Sequence, residues 1–91
     1  MVKANMKEPY DVLLNPYVTE KSSNLMDLQN KLEFIVHKKA TKKDIKNAFE
    51  KLYKAKVVKV NTFIAKDGKH AIIKLAKGES AEEIGMRIGI F

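Results

Sequence analysis

Apolar residues recur along this chain with two different periods, and the switches between them divide it into elements. From Lys31 the alternation has a period of two: Leu32, Phe34 and Val36 share one face and Glu33, Ile35 and His37 the other, which is the pattern of a strand. Beyond Thr41 the period becomes helical. Ile45, Ala48, Phe49 and Leu52 repeat at i, i+3, i+4 and i+7, and Thr41 followed three residues later by Asp44 resembles a capping box. A β-branched run then alternates Val58, Val60, Thr62 and Ile64 with Val57, Lys59, Asn61 and Phe63. The segment Lys66-Asp67-Gly68-Lys69 supplies a tight turn, and Ala71, Ile73 and Leu75 carry a returning strand, so these two strands form a hairpin.

The ends carry weaker patterns. Met1 to Glu8 is polar and aperiodic, so residues 1–9 read as a loose N-terminal extension of a single domain spanning 1–91, with structure beginning near Tyr10. Val12, Leu13 and Leu14 predict a short strand ending before the turn signal Asn15-Pro16. Thr19 can N-cap a helix that turns Leu25 and Leu28 toward the core and ends near Gln29-Asn30. Near the C-terminus, Ser80 and Glu83 read as a full capping box ahead of Ile84, Ile88 and Phe91, with Gly89 able to stop the helix in a left-handed conformation. The order strand, helix, strand, helix, strand, strand, helix implies an α+β fold. Its antiparallel or mixed sheet of three to four strands is covered by about three helices.

Charge adds what periodicity cannot. The 18 Lys and Arg outnumber the 11 Asp and Glu, giving a net charge of +7, and the excess is regional. Between Lys38 and Lys77 stand 13 lysines against Asp44, Glu50 and Asp67, whereas the flanking segments are slightly acidic. A solubilising surface interleaves both signs, so this imbalance points to a polyanionic partner. Lys39, Lys42, Lys43 and Lys46 form a stripe rotated roughly 130° from the apolar one at 100° per residue, so the central helix can bury one face and offer the other. Lys66, Lys69, His70 and Lys74 form a second group on the hairpin. All but one of the cations are lysines, which meet phosphate as point charges, so backbone and shape recognition are expected and not base reading. Phe34, Phe49 and Phe91 fall at core positions, while Phe63 or Tyr53 could stack on an RNA base.

A search for catalytic chemistry yields little. The chain has no cysteine, hence no thiolate nucleophile, disulfide or sulfur-held metal, and a reducing, cytoplasmic location fits that composition. His37 and His70 have no partner at metal-ligand spacing and read as surface residues. Glu82 and Glu83 read as first-turn acids favouring a helix dipole, and Arg87 in the last helix is poorly placed for phosphate chemistry. No cofactor, metal or enzymatic activity is expected, and no run approaches the roughly 18 apolar residues of a membrane span.

Four strings in register carry a resemblance. Pro16-x-Val18-Thr19-Glu20-Lys21, Asn30-Lys31-Leu32-Glu33-Phe34-Ile35-Val36, Ala40-Thr41-Lys42-Lys43-Asp44-Ile45-Lys46 and Val57-Val58-Lys59-Val60-Asn61-Thr62 together resemble the L23 family of large-subunit ribosomal proteins, from about Asp11 to Phe91. The ending Ile84-Gly85-x-x-Ile88-Gly89-Ile90-Phe91 and the short hairpin look like its archaeal and eukaryotic branch. The resemblance implies a ribosome-bound protein on the rim of the polypeptide exit tunnel, held by large-subunit ribosomal RNA beside another small ribosomal protein. It also implies docking of factors that meet nascent chains, such as chaperones, the signal recognition particle and the protein-conducting channel. Val18, Thr19 and Glu20 match the docking motif. The RNA contacts expected are Lys21, Lys39, Lys42, Lys43, Lys46, Asn61, Thr62, Lys66, Lys69, His70 and Lys74. A free-standing RNA-binding or RNA-chaperone domain, and an adaptor for an acidic protein, remain the alternatives.

Overall fold

In the computed structural model, which describes residues 9–17 and 19–88, the chain runs α1 (Pro9–Val12), β1 (Leu13–Pro16), α2 (Glu20–Gln29), β2 (Lys31–Val36), α3 (Lys42–Tyr53), β3 (Val57–Ala65), β4 (Gly68–Leu75) and α4 (Ala81–Ile88). The expected order is present with one short helical turn added ahead of β1. Residues 1–8 of the expected N-terminal extension, Val18, and the C-terminal Gly89 and Phe91 lie outside the described residues, as do the side chains of Glu20 and Leu25, whereas Pro9, expected in the extension, begins α1.

The four strands form one sheet in the order β1-β2-β4-β3, and every neighbouring pair is antiparallel. Pairing decides which side chains share a face. Leu32 lies opposite Ile73 and Phe34 opposite Ala71, while Ile73 lies opposite Val60 and Leu75 opposite Val57. Those residues are buried together with Met26 of α2, Ile45, Ala48 and Phe49 of α3, and Ala81 and Ile84 of α4. The helices therefore cover one face of the sheet, and among the described residues no helical layer lies on the other. Part of this core is aromatic. Phe34 meets Phe49 edge-on with centroids 5.9 Å apart, and Tyr53 packs 4.9 Å from Phe49, so Tyr53 belongs to the core.

Helix α3 follows its sequence closely. The Thr41 hydroxyl accepts from the Asp44 N–H at 3.1 Å and the Asp44 carboxylate accepts from the Thr41 N–H at 3.0 Å, so the capping box is complete. At its other end Lys54 turns left-handed at φ 52° and donates its N–H to the Glu50 carbonyl. The Glu50 carboxylate then accepts from the Val57 N–H at 3.0 Å, joining the helix end to the start of β3.

Four expectations are corrected. The strand expected over Val12, Leu13 and Leu14 starts at Leu13 and runs through Asn15-Pro16; an edge strand has an outward row of N–H groups that a proline can forgo. Leu28 does not reach the core but is 81% exposed, because Met26 is the inward residue and Leu28 sits about 200° further round the helix. In β3 the alternation slips: a bulge between Val57 and Lys59 leaves Val58 exposed and puts both Val57 and Val60 on the core face. Finally, the Ser80 hydroxyl accepts from the Glu83 N–H at 3.2 Å, but the Glu83 carboxylate approaches Arg87 at 3.5 Å. The Ser80 half of the box is therefore present and the Glu83 half is not, while Asn30 adds a further cap: its side-chain oxygen accepts from the Ala81 N–H at 2.7 Å and its amide donates to the Glu79 carbonyl at 2.8 Å. Asn30 is itself left-handed, at φ 55°, so the residue that ends α2 also starts α4.

Candidate nucleic-acid interface

The basic stripe of α3 faces solvent. Lys42, Lys43 and Lys46 are exposed while Ile45, Ala48 and Phe49 between and beyond them are buried, as two stripes offset on one helix require. Lys39 is exposed in the turn that leads into the helix. Lys66 is exposed at the hairpin tip, and Lys21 is exposed on α2.

Other expected contacts are arranged differently. Lys69 is half-buried and donates through Nζ to the Ala40 carbonyl at 2.7 Å, tying β4 to the loop before α3. Thr62 lies opposite Ala71 on the helix-covered side and is half-buried, whereas its neighbour Asn61 is exposed on the uncovered side. His70 is not a surface residue. It is 2% exposed, with Nδ1 at 2.9 Å from the Glu33 carboxylate and Nε2 at 2.7 Å from that of Asp67. Burial alone would depress its pKa, but the hydrogen bonds to Asp67 and Glu33 outweigh it and raise the pKa above its ordinary value. The His70 hydrogen bond in turn holds the Asp67 carboxyl below its ordinary range. With both ring nitrogens occupied and the ring buried, His70 has no face left for phosphate. Its place is structural, joining β4 to Glu33 of β2 and to the hairpin turn.

The uncovered face of the sheet has its own layout. Register places Lys31 opposite Lys74 and Lys74 opposite Lys59, so three lysines form a row across β2, β4 and β3. Like charges directly opposite each other destabilise a sheet, which makes such a row unusual without a counter-charge. Further along the same face Phe63 stacks on His70 at 5.1 Å and 20°, and Tyr17 meets that ring edge-on at 4.5 Å and 80°. Lys31 and Lys59 were not among the expected contacts. The sequence did contain half of the signal, since a two-residue turn at Lys66-Asp67 sets Lys59 opposite Lys74; the pairing of β2 with β4 has no such local marker.

The expected contacts thus fall into groups: a helix-side stripe with its leading turn, a lysine row on the open sheet face, and single exposed lysines on α2 and the hairpin tip. Thr19 precedes α2 and Glu20 begins it, while Val18 is outside the described residues. Among the described residues, no group of three or more His, Asp or Glu is placed to hold a metal ion, and no helix is long and apolar enough to cross a membrane.

Comparison with known proteins bears on this geometry. The family model for ribosomal protein L23 matches residues 11–70. The large ribosomal subunit protein uL23 of Methanothermobacter thermautotrophicus is 52% identical over 85 residues, covering 92% of this chain and 99% of that protein. The protein of the same name from Picrophilus torridus is 53% identical over 81 residues, covering 89% and 99%. That from Methanobrevibacter smithii is 46% identical over 85 residues, covering 92% and 99%.

Proposed function

Because the chain belongs to the ribosomal protein L23 family, we propose that it is a structural, non-enzymatic constituent of the large ribosomal subunit, bound to large-subunit ribosomal RNA at the rim of the polypeptide exit tunnel. The observation that carries the RNA-binding part is the division of α3 into a buried apolar stripe and an exposed run of Lys42, Lys43 and Lys46. Lysines held on a rigid helix neutralise phosphates that a folded RNA packs closely, and they do so without reading sequence. Lys21, Lys39, Lys66 and Lys74 add to the charge, and exposed Asn61 adds a hydrogen-bonding amide. In this role the protein is cytoplasmic, sits beside another small ribosomal protein, and holds a local RNA region while its outer side faces solvent.

The same reading makes Val18, Thr19 and Glu20 a docking segment for nascent-chain factors, including the signal recognition particle and the protein-conducting channel. Support for that part is the match of the motif and its position at the start of α2.

Sedimentation of a cell extract on a sucrose gradient at low magnesium tests the assignment. Comigration with the large subunit through a moderate salt wash is expected. Appearance in the light fractions alone overturns it and favours a free-standing RNA-binding domain. With RNA in hand, Lys42→Glu combined with Lys46→Glu is expected to abolish binding without changing the unfolding transition; unchanged binding removes the stripe from the interface.

A further inference from the structure

The open face of the sheet ends in an aromatic stack with one free end. Tyr17, His70 and Phe63 follow one another across the sheet, and Phe63 stands on β3, an edge strand. His70 stacks on the Phe63 ring; among the described residues no strand lies beyond β3, and Phe63 is 43% exposed. A phenyl ring held between a buried partner and solvent is costly to leave in water, because its apolar surface is neither covered nor free to turn away. The ring it stacks on is held at both nitrogens by Glu33 and Asp67.

Along β3 the outward residues of this face are Lys59, Asn61 and Phe63, spaced about 6.7 Å apart by the rise of a strand. A cation, an amide and an aromatic ring in line are the three groups that a single-stranded nucleic acid meets with phosphate, base edge and base face. Lys74 and Lys31 extend the cationic end across the sheet. Of the acids on this face among the described residues, Glu33 is buried against His70 and Asp67 is exposed. The charge therefore matches a polyanion and opposes a basic peptide, and the aromatic face of Phe63 in line with it favours a nucleic acid among polyanions.

We propose that the open sheet face is a second RNA site, at which an unpaired nucleotide of the ribosomal RNA stacks on Phe63 while its strand passes Asn61 toward the row formed by Lys59, Lys74 and Lys31. The site is separate from the α3 stripe, which lies in the helix layer on the other side of the sheet. It rests on the reading that the protein binds ribosomal RNA.

The test uses the full chain and a transcript of the large-subunit ribosomal RNA of Methanothermobacter thermautotrophicus, with binding measured over a series of salt concentrations. Phe63→Ala is expected to weaken binding by roughly 5- to 150-fold, the equivalent of one stacked base, with the salt slope unchanged. Phe63→Trp keeps the affinity, and Lys59→Gln with Lys74→Gln lowers the salt slope by about 1.4, two single-strand phosphates' worth. A Phe63→Ala protein that binds like the wild type overturns the site and leaves the α3 stripe standing. So does a Phe63→Leu protein as good as Phe63→Trp, since that would mean apolar cover and not stacking. A photoreactive phenylalanine at position 63 that crosslinks in assembled subunits to a protein also overturns it. Failure of the wild-type chain to bind any part of the transcript instead removes the RNA-binding function itself.

Discussion

His70 holds its place through charge. Its imidazole is buried, yet two carboxylates bracket it, and their hydrogen bonds raise its pKa above the ordinary value. A group whose pKa is higher in the folded than in the unfolded state binds more protons when folded, so stability declines as pH rises through the interval between the two values. The His70 contribution is thus complete below the ordinary value of 6.5 and is lost as pH climbs through the raised folded value. Urea unfolding at a series of pH values should show a falling midpoint across that window, and His70→Gln should flatten it. Asp67 acts with the opposite sign: its contribution is present above the ordinary 3.8 and disappears as acid protonates it. Phe49, which is fully buried, gives a larger effect of a different kind; Phe49→Ala should cost about 3 to 5 kcal/mol, read as a lower denaturant midpoint. Phe49 was legible from the helical period alone. The His70 cluster was not, because Glu33 lies 37 residues away in sequence and only the pairing of β2 with β4 brings it near.

At the scale of elements, local chemistry explains the middle of the chain better than its joints. The capping box and apolar stripe of α3, the alternation of β2 and the turn of the β3–β4 hairpin are all written in residues within a few positions of one another, and all are present. Thr41→Ala removes one half of that box and should lower stability by about 1 kcal/mol. The misread joints have long-range causes. Asn30 looked like the end of α2, and it is, but its side chain also accepts from the first N–H of α4 about fifty residues later, a partner that no local spacing marks. Asn30→Gly keeps the left-handed backbone and deletes both hydrogen bonds, so it should cost about 1 to 3 kcal/mol in chemical denaturation. The bulge at Val58 likewise depends on how β3 meets β4, not on the β-branched run itself.

For the molecule as a whole, the net charge of +7 governs association more than folding. If six to ten phosphates are engaged over both faces, each contributes roughly −0.7 to −0.9 to the slope of log affinity against log salt, so binding to RNA should weaken steeply between low and moderate ionic strength. The regional excess of lysine was visible in the sequence, but its distribution over two sides of a sheet was not, since facing is decided by register. The strand order has a further consequence, in time. β2 and β4 are neighbours at the centre of the sheet although α3 and β3 separate them along the chain. During synthesis β2 cannot acquire its inner partner until Leu75 has emerged, so the emerging N-terminal half waits without a core strand beside it. Closing that long loop precedes any gain from the contacts it makes, which sets folding in the slower, millisecond range of mixed α/β domains. A chain interrupted at the Lys66-Asp67 turn would carry most of its lysines and none of its central pairing, an unfolded polycation free to attach to whatever RNA is nearest.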